Sequence, residues 1–402
     1  MDGLALFPDS AEIRQGELTL GGISASALAG EFGTPLVAYC EQTLRTRAGE
    51  YRQAAPAALV VYGTKAFPNV AVMRLLAEEG VGADVSTLGE LRFAQAAGVP
   101  PERIVVHGNN KSDEELRAAA EAGAGFVVLD SVEELDRARE AGIERMLARV
   151  TPGIEAETHE AIRTGHVGSK FGMSPAEALS IRGAIAGIHV HVGSQLLSSD
   201  SAQEAVAWLN GFLTESGWAP EVVDLGGGLG VPTSPSETAP TIAEFVATLL
   251  GHLETDASLI LEPGRSLIAQ AGVTLYRVGS VKRSGDRIWV AIDGGLSDNP
   301  RPQLYGARYT ALVANRADAV PTGTFGVAGK HCESGDVLID SVELAEPKRG
   351  DLLAVPVTGA YTLAMGSNYN AVPRPATVLV GDDAAHLIRR RELLDDLLRL
   401  EG

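Results

Sequence analysis

Residues 82–108 read GADVSTLGELRFAQAAGVPPERIVVHG, and this stretch holds one full copy of the pattern that decides the fold. An apolar run opens it and is followed by Thr87 and Glu90, which have the spacing of a capping box at the start of a helix. The helix is expected to end at Gly98, because glycine readily adopts the left-handed conformation that closes many helices. A second apolar run follows at 104–108. The stretch therefore predicts a strand, a helix and another strand, which is one β/α unit.

The same order of signals recurs along the first two-thirds of the chain. Two further helices have the capping spacing and end at a glycine, with the pairs Ser112 and Glu115, and Ser131 and Glu134, and the ends Gly123 and Gly142. Eight apolar runs are predicted as strands, at 60–65, 83–86, 104–108, 126–130, 146–150, 187–193, 222–226 and 259–263. Strands that are apolar almost throughout fit a parallel sheet covered on both faces. Eight consecutive units favour a closed TIM (β/α)8 barrel over an open doubly wound sheet.

The pattern changes after Arg265. Strand-like runs are separated by Gly, Asp and Pro turns without long helices, at 273–281, 288–292, 352–357 and 376–379. They predict a second, β-rich domain of sandwich-like or barrel-like form. The runs at 18–20 and 35–40 are assigned to the same domain. We therefore predict an α/β chain with a barrel domain at 41–267 and a β domain formed by 1–40 plus 268–402.

Composition limits the class of function. The chain has 402 residues, a formal net charge of −19 and only two cysteines, Cys40 and Cys332. This charge argues against nucleic-acid binding, although a local positive field still suffices for an anionic cofactor. No basic segment precedes a long apolar run at the start, and no apolar stretch is long enough to span a bilayer. Two cysteines do not form a disulfide framework, so a cytoplasmic protein is expected.

Residues that carry chemistry in a TIM barrel lie where the strands end. At the predicted strand ends these are Lys65, Asp84, His107, Asp130, His189, His191, the glycine run 226–230 and Glu262. A lysine that closes an apolar strand would be desolvated, which favours the neutral amine needed for a Schiff base. The simpler interpretation is a lysine whose head reaches solvent at the strand end.

The ends of the seventh and eighth strands suggest a phosphate and a pyridine ring. The glycine run follows the seventh strand, where barrels commonly bind phosphate, although a tight turn would also explain it. Glu262 could keep a pyridine nitrogen protonated, or could cap the strand in a salt bridge. Gly264 would let the backbone approach a phosphate, and Arg265 could hold a carboxylate with two hydrogen bonds.

His189 and His191 alternate on one strand and would share a face. A His-x-His pair is also typical of metal ligands, so a metal-dependent hydrolase is the rival chemistry. The phosphate-type loop beside Glu262 favours an imidazole that stacks on a ring. No metal is expected.

Taken together, the motifs resemble those of fold-type III, alanine-racemase-like pyridoxal-phosphate enzymes, and most closely those of the diaminopimelate decarboxylase family. The shared segments are 62–67, 82–90, 107–112, 170–173, 191–195, 226–230, 262–265, 293–298, 301–306, 332–336, 359–361 and 367–370. The resemblance covers nearly the whole chain in one order. It implies a homodimer that uses pyridoxal 5'-phosphate to decarboxylate meso-2,6-diaminopimelate to L-lysine, the last step of lysine biosynthesis.

The resemblance also implies roles for individual residues. Lys65 would carry the cofactor and Cys332 would donate a proton to the product. The other cofactor contacts would be Asp84, His191 stacked on the ring, Ser194, Gly227, Gly228, Glu262 at the pyridine nitrogen, Gly264, Arg265 and Tyr361. Substrate carboxylates would be held by Arg265, Arg301 and Tyr305, the distal ammonium by Glu333, with Tyr361 touching substrate as well. Cys332 and Glu333 would reach the site from the partner subunit.

Several positions depart from the common pattern of that family, namely Gly63 with Thr64, Phe67, Tyr309, and Lys330 with His331. The main alternative is a decarboxylase of ornithine, lysine, arginine or a carboxylated diamine. Such an enzyme should lack a clamp for a distal carboxylate, so Arg301 and Glu333 count against it. A racemase of this fold would place a cation, not Glu262, at the pyridine nitrogen. A non-catalytic pyridoxal-phosphate-binding protein would normally lack the β domain.

Overall fold

The computed structural model describes residues 3–152, 169–191 and 193–401. The chain divides into two compact units. We call Arg45–Val231 with Thr238–Leu267 the barrel unit, and Met1–Leu44 with Pro232–Glu237 and Ile268–Gly402 the β unit. No helix in the described ranges is long and apolar enough to cross a membrane.

The strands, in chain order, are β1 (Glu12–Arg14), β2 (Glu17–Leu20), β3 (Ile23–Ser24), β4 (Leu36–Cys40), β5 (Leu59–Gly63), β6 (Gly82–Val85), β7 (Ile104–Val106), β8 (Phe126–Leu129), β9 (Met146–Val150), β10 (Gly187–Val190), β11 (Val222–Asp224), β12 (Ser258–Leu261), β13 (Gly272–Ser284), β14 (Arg287–Ile292), β15 (Leu312–Val313), β16 (Gly323–Ala328), β17 (Val337–Leu344), β18 (Leu352–Val355), β19 (Ala376–Gly381) and β20 (Ala384–Arg389). The α-helices are α1 (Ala25–Phe32), α2 (Glu41–Ala54), α3 (Val70–Glu78), α4 (Leu88–Ala97), α5 (Asp113–Glu121), α6 (Glu134–Glu140), α7 (Pro175–Ile181), α8 (Asp200–Ser216), α9 (Ile242–Gly251), α10 (Arg265–Ile268), α11 (Arg301–Tyr305) and α12 (Leu394–Leu398).

Strands β5 to β12 form a closed barrel in which each strand pairs in parallel with its neighbours, and β12 pairs with β5 to complete the ring. All eight predicted barrel strands are present, so the predicted TIM barrel is confirmed. Side chains from several strands meet in one buried apolar cluster that includes Val61, Val105, Leu147 and Ile260. A packed interior of this kind leaves the strand ends as the place for a site.

The predicted capping pairs are confirmed at the start of two helices and wrong at the start of the third. Thr87 accepts from the Glu90 amide, and Ser112 with Glu115 forms a complete capping box. The capping box predicted at Ser131 is wrong. Helix α6 begins at Glu134 itself, whose carboxylate is already engaged, accepting from the Asp130 amide at 2.9 Å and pairing with a buried lysine at 3.0 Å. The glycines predicted at the three helix ends do adopt positive φ.

The β unit contains a nine-stranded sheet with β17, β16, β14, β13, β4, β19 and β20 in spatial order, to which β18 and β15 add through β13. The predicted strand at 35–40 appears as β4, which lies between β13 and β19. Strands β16, β17 and β20 were not predicted. The first of these contains two glycines, Gly323 and Gly326, which weaken any strand signal.

Candidate active site

Lys65 lies in a single turn of 3-10 helix, Thr64–Ala66, directly after β5. The sequence predicted a lysine within the strand and a desolvated amine. Both predictions are wrong, because the strand ends two residues earlier and Lys65 is exposed. The turn is anchored by the Thr64 hydroxyl, which donates to the Asp84 carbonyl at 2.7 Å. The Lys65 amine still influences the barrel site through its charge. Burial holds the pKa of His191 well below its ordinary value, and the positive charge of Lys65 lowers that pKa further.

Glu262 is the centre of the polar groups at the barrel strand ends. It follows β12 and lies between two imidazoles, His107 after β7 and His189 in β10. His107 Nε2 is 2.6 Å from Glu262 Oε1, and His189 Nε2 is 3.2 Å from Oε2. The two rings meet edge to face with centroids 4.9 Å apart. Glu262 is thus held by both of its oxygens.

The charge states of Glu262 and His189 determine which group donates in these hydrogen bonds. Burial opposes ionisation of Glu262, but the nearby His107 and His189 outweigh it and hold the pKa of Glu262 well below its usual range. Burial lowers the pKa of His189 to about 4, so this ring is neutral at physiological pH. Because an ionised carboxylate only accepts, each imidazole donates through Nε2–H.

Two more carboxyl groups are buried beside Glu262. Asp84 Oδ1 lies 3.9 Å from His107 Nε2 and has no hydrogen-bond partner within the described ranges. Asp224 accepts from the Gly226 amide at 2.8 Å. Burial raises the pKa of both aspartates, and the Glu262 charge raises it further. Of the three acids, Glu262 is therefore the one that keeps its negative charge.

Arg149 belongs to this set of charges, and sequence reasoning missed it. It lies in β9 with its guanidinium 4.6 Å from the centre of the Phe171 ring. Burial lowers the pKa of Arg149, while the carboxylates of Asp130 and Glu262 oppose the shift. The available signal was a charge inside the otherwise apolar run 146–150. A cation in a buried strand needs anions nearby, and those were among the predicted strand-end residues.

The glycine loop after β11 packs too closely for any side chain. A Cβ at Gly227 would lie 2.3 Å from the Glu262 carbonyl oxygen. Gly228 has φ +119°, and a Cβ there would lie 2.8 Å from the Gly193 carbonyl oxygen. The Gly227 amide donates to His191 Nδ1 at 3.3 Å, so the loop also fixes the imidazole predicted to stack on the cofactor.

Ser194 and Arg265 are brought together as well. Arg265, the first residue of α10, donates from Nη2 to the Ser194 hydroxyl at 3.3 Å. Gly264 precedes it, three residues after β12 ends, and the neighbouring Pro263 carbonyl accepts from the Gly63 amide at 3.1 Å. The barrel unit thereby collects its predicted cofactor residues at one set of strand ends.

In the β unit, Arg301 begins α11 and is buried. Its Nη1 donates to the Tyr309 hydroxyl at 2.6 Å, and its buried Nε has no hydrogen-bond partner in the described part of the chain. Tyr309 was noted in the sequence only as a departure from the family pattern. Tyr305 makes a weak contact with Met365 Sδ at 3.9 Å. Tyr361 adopts a left-handed backbone with φ 58°.

One buried carboxylate anchors the segment that contains Cys332 and Glu333. Asp336 accepts from the Leu296 amide at 2.7 Å, from the His331 amide at 2.9 Å and from His331 Nδ1 at 2.7 Å. It therefore ties the loop at 293–298 to the turn at 331–336. We call these two joined segments the Asp336 clamp.

The clamp presents its two predicted site residues at the surface. Cys332 and Glu333 are both exposed. The Cys332 amide donates to the Asn370 side chain at 3.1 Å, and the Tyr369 hydroxyl donates to Glu333 Oε2 at 3.4 Å. The segment at 367–370, a motif without an assigned role in the sequence, thus supports the backbone and carboxylate of this turn.

The barrel residues fit pyridoxal phosphate. Lys65 offers an amine for its aldehyde, Glu262 a buried anion for its ring nitrogen and His191 a flat ring for stacking. In the loop at 226–230 the glycines occupy positions where a Cβ would collide with neighbouring protein atoms, and glycine-rich loops can accept a phosphate through their backbone N–H groups.

A metal ion is the competing occupant. His107, His189, Asp224 and Glu262 have potential ligand atoms within 4.8 Å of one another. The predicted metal pair was His189 with His191, and His191 is outside this group. The two imidazoles already donate to Glu262, so the four residues satisfy much of their own hydrogen bonding.

Comparison with known proteins decides between the two chemistries. A family model described as "Pyridoxal-dependent decarboxylase, pyridoxal binding domain" matches residues 41–269. A diaminopimelate decarboxylase from Actinosynnema pretiosum subsp. auranticum is 44% identical over 419 residues, which cover 98% of this chain and 95% of that protein. A diaminopimelate decarboxylase from Bacillus subtilis (strain 168) is 41% identical over 428 residues, which cover 98% of this chain and 98% of that protein. The chain belongs to the diaminopimelate decarboxylase family.

Solved structures agree with this assignment. A diaminopimelate decarboxylase from M. jannaschii in co-complex with L-lysine superposes with a TM-score of 0.90 at 34% identity, over 100% of this chain and 99% of that one. Membership of the diaminopimelate decarboxylase family confirms the predicted family, the predicted class of pyridoxal-phosphate-dependent carboxy-lyase and the predicted cofactor. The metal-dependent hydrolase is set aside.

Proposed function

We propose that the protein decarboxylates meso-2,6-diaminopimelate to L-lysine and CO2. The observation that carries the proposal is the match to diaminopimelate decarboxylases over almost the entire chain, at 41–44% identity, together with a barrel site whose residues suit pyridoxal phosphate. The complex of the M. jannaschii relative contains L-lysine, the expected product.

The barrel unit is proposed to hold the cofactor, and the region at 41–267 to be the cofactor-binding domain. When bound, pyridoxal phosphate supplies an electron sink for the pair of electrons left behind as CO2 departs. Lys65 provides the amine for attachment, and Glu262 keeps a negative charge where the ring nitrogen would lie. His191 supports the ring face. The phosphate would contact Gly227, Gly228, Ser194 and the backbone of Gly264 and Arg265, with Asp84 and Tyr361 as further cofactor contacts.

The β domain, 1–40 plus 268–402, is proposed to contribute the residues that select the substrate and form the dimer interface. A substrate with an ammonium and a carboxylate at each end needs cations and an anion to bind it. Arg265, Arg301 and Tyr305 would hold carboxylates, and Glu333 the distal ammonium. Within the described residues the Nε of buried Arg301 has no hydrogen-bond partner, and a substrate carboxylate could accept from it.

Cys332 is proposed to return the proton to the α-carbon, and to do so from the partner subunit of a homodimer together with Glu333. Both residues are exposed on an anchored turn, which suits a contribution to a neighbouring subunit. A cytoplasmic location is proposed because Cys40 and Cys332 are both free thiols.

The test is to incubate the purified enzyme with meso-diaminopimelate and pyridoxal phosphate, and to quantify lysine and CO2. We expect one lysine for each CO2 released. The same assay with ornithine, lysine and arginine should give little turnover. Rapid release of CO2 from ornithine without lysine formation from diaminopimelate would instead assign the alternative decarboxylase activity.

A further inference from the structure

Two histidines form hydrogen bonds to a single carboxylate where the barrel strands end. His107 and His189 each place Nε2 within hydrogen-bond distance of a different oxygen of Glu262, at 2.6 and 3.2 Å. The three residues are buried and come from segments up to 155 positions apart. The edge-to-face packing of the two rings at 4.9 Å restrains each of them against rotation. The orientation of the Glu262 carboxylate is therefore determined by two other side chains.

These two hydrogen bonds affect which carboxyl group is ionised, because three acids share this buried region. Asp84, Asp224 and Glu262 cannot all be ionised at low cost, since like charges repel strongly where water is scarce. Of these three acids, Glu262 alone receives a donor on each oxygen from the residues that the structure describes. The pKa directions agree with this asymmetry: that of Glu262 is lowered despite its burial, and those of both aspartates are raised.

We propose that His107 and His189 are positioning residues that make Glu262 the carboxylate paired with the pyridine nitrogen, by fixing its orientation and supplying a hydrogen-bond donor to each oxygen. A carboxylate has about four lone-pair sites, so two remain after the imidazoles have bound. One of these can accept from a protonated ring nitrogen. The inference rests on the proposed function only through its cofactor and does not depend on which amino acid is decarboxylated.

The experiment measures cofactor binding to apo-protein, without turnover. Dissociation constants would be determined by fluorescence titration for pyridoxal phosphate and for 1-deazapyridoxal phosphate, in which C–H replaces the ring nitrogen. The variants are His107→Leu and His189→Leu, which remove the donor, and His107→Gln and His189→Gln, which keep an N–H donor. His252→Gln, which alters an exposed histidine after α9, is the matched control.

Losing one charge-assisted donor should weaken pyridoxal phosphate binding by about tenfold in the leucine variants. The glutamine variants should recover most of this loss, and the control should match wild type. Binding of the 1-deaza analogue should hardly change in any variant, because it has no ring nitrogen to pair with Glu262. In a Glu262→Gln background the leucine substitutions should add nothing to the preference for pyridoxal phosphate over the analogue.

Equal weakening of both ligands would overturn the inference, because it would mark the histidines as purely structural. Unchanged binding of both ligands would overturn it too. Stoichiometric zinc in the wild type that is lost in the glutamine variants would show that the histidines hold a metal instead. Failure of the proposed function has a separate signature: the wild type would form no lysine from diaminopimelate while still preferring pyridoxal phosphate over its analogue.

Discussion

The guanidinium of Arg301 donates to the hydroxyl of Tyr309 at 2.6 Å, inside a buried part of the β unit. A residue that departs from the family pattern is thus bonded to the arginine proposed to bind a substrate carboxylate. Tyr309→Phe removes only the hydroxyl. Because a hydrogen bond to a charged group contributes roughly 1.5–3 kcal/mol, KM for diaminopimelate should rise by about tenfold or more with kcat less affected. Steady-state kinetics would check this, with exposed Arg308→Gln as the control, and an unchanged KM in Tyr309→Phe would contradict it.

Lys65 should be the residue that borohydride labels. Reduction of the holoenzyme, followed by peptide mass spectrometry, should find the phosphopyridoxyl group on the peptide that contains Lys65. Lys65→Arg should lose both the label and activity, the latter by about three orders of magnitude or more. A label on Lys111 would refute the assignment. That lysine is not expected to react, since its amine pairs with Glu134 and donates to two backbone carbonyls.

Cys332→Ala should reduce kcat by about a hundredfold or more while leaving cofactor affinity unchanged, because it would remove the proposed general acid and leaves the residues of the barrel unit unaltered. If active sites are shared across a dimer, mixing inactive Lys65→Arg with Cys332→Ala subunits should restore activity to roughly a quarter of wild type, through hybrid dimers with one intact site. No recovery, in mixtures shown to exchange subunits, would place Cys332 and Lys65 of one site on the same chain.

Glu134→Gln should destabilise the protein. The carboxylate pairs with Lys111 at 3.0 Å, and both side chains are buried. Removing one partner leaves an uncompensated buried ammonium, at a cost of about 3–5 kcal/mol in the free energy of unfolding. Replacing both residues together, Lys111→Met with Glu134→Leu, should cost much less. Urea denaturation would compare them, and a double variant less stable than Glu134→Gln would show that the charged pair itself stabilises the fold.

Asp298 should make the β unit less stable as pH rises through the range from about 4 to 7. Burial raises its pKa from 3.8 to about 7, although Tyr276 and the Gly295 amide donate to it. In that range the folded protein keeps a proton that the unfolded chain releases, so stability falls with increasing pH and levels off above pH 7. The free energy of unfolding of wild type should therefore fall between pH 5 and pH 8, and that of Asp298→Asn should not fall with it. Relative to wild type, the variant should become more stable by more than about 1 kcal/mol over this range. Parallel unfolding curves at the two pH values would contradict this.

The barrel could be predicted because its signals are local. Apolar runs, caps and glycines repeat within a few residues of one another, and strand ends follow directly from strand positions. The contacts of His107 could not be predicted in this way. Its partner Glu262 is 155 residues away, and only closure of the barrel brings the two together. Arg301 and Tyr309 are only eight residues apart, but no sequence pattern predicts that the chain after α11 returns the tyrosine to the guanidinium.

Other differences have local physical causes. The turn at Thr64–Ala66 ends the strand before Lys65, because Thr64 bonds to the neighbouring strand through its side chain. Ser131 fails as a cap because Glu134 is bound elsewhere. The role of Arg149 could not be predicted from the run at 146–150, because an apolar run predicts a strand and does not indicate which groups its one charge faces.

The Asp336 clamp affects how the substrate specificity of such an enzyme could change by mutation. The carboxylate joins two segments through the Leu296 and His331 groups, whereas Glu333 projects from the tethered turn as an exposed residue. Asp336 therefore provides the main anchor of the turn, whereas binding of the distal ammonium is proposed for a different side chain, Glu333. If Glu333 binds the distal ammonium as proposed, a substitution at position 333 would change the substrate preference while Asp336 still holds the turn in place.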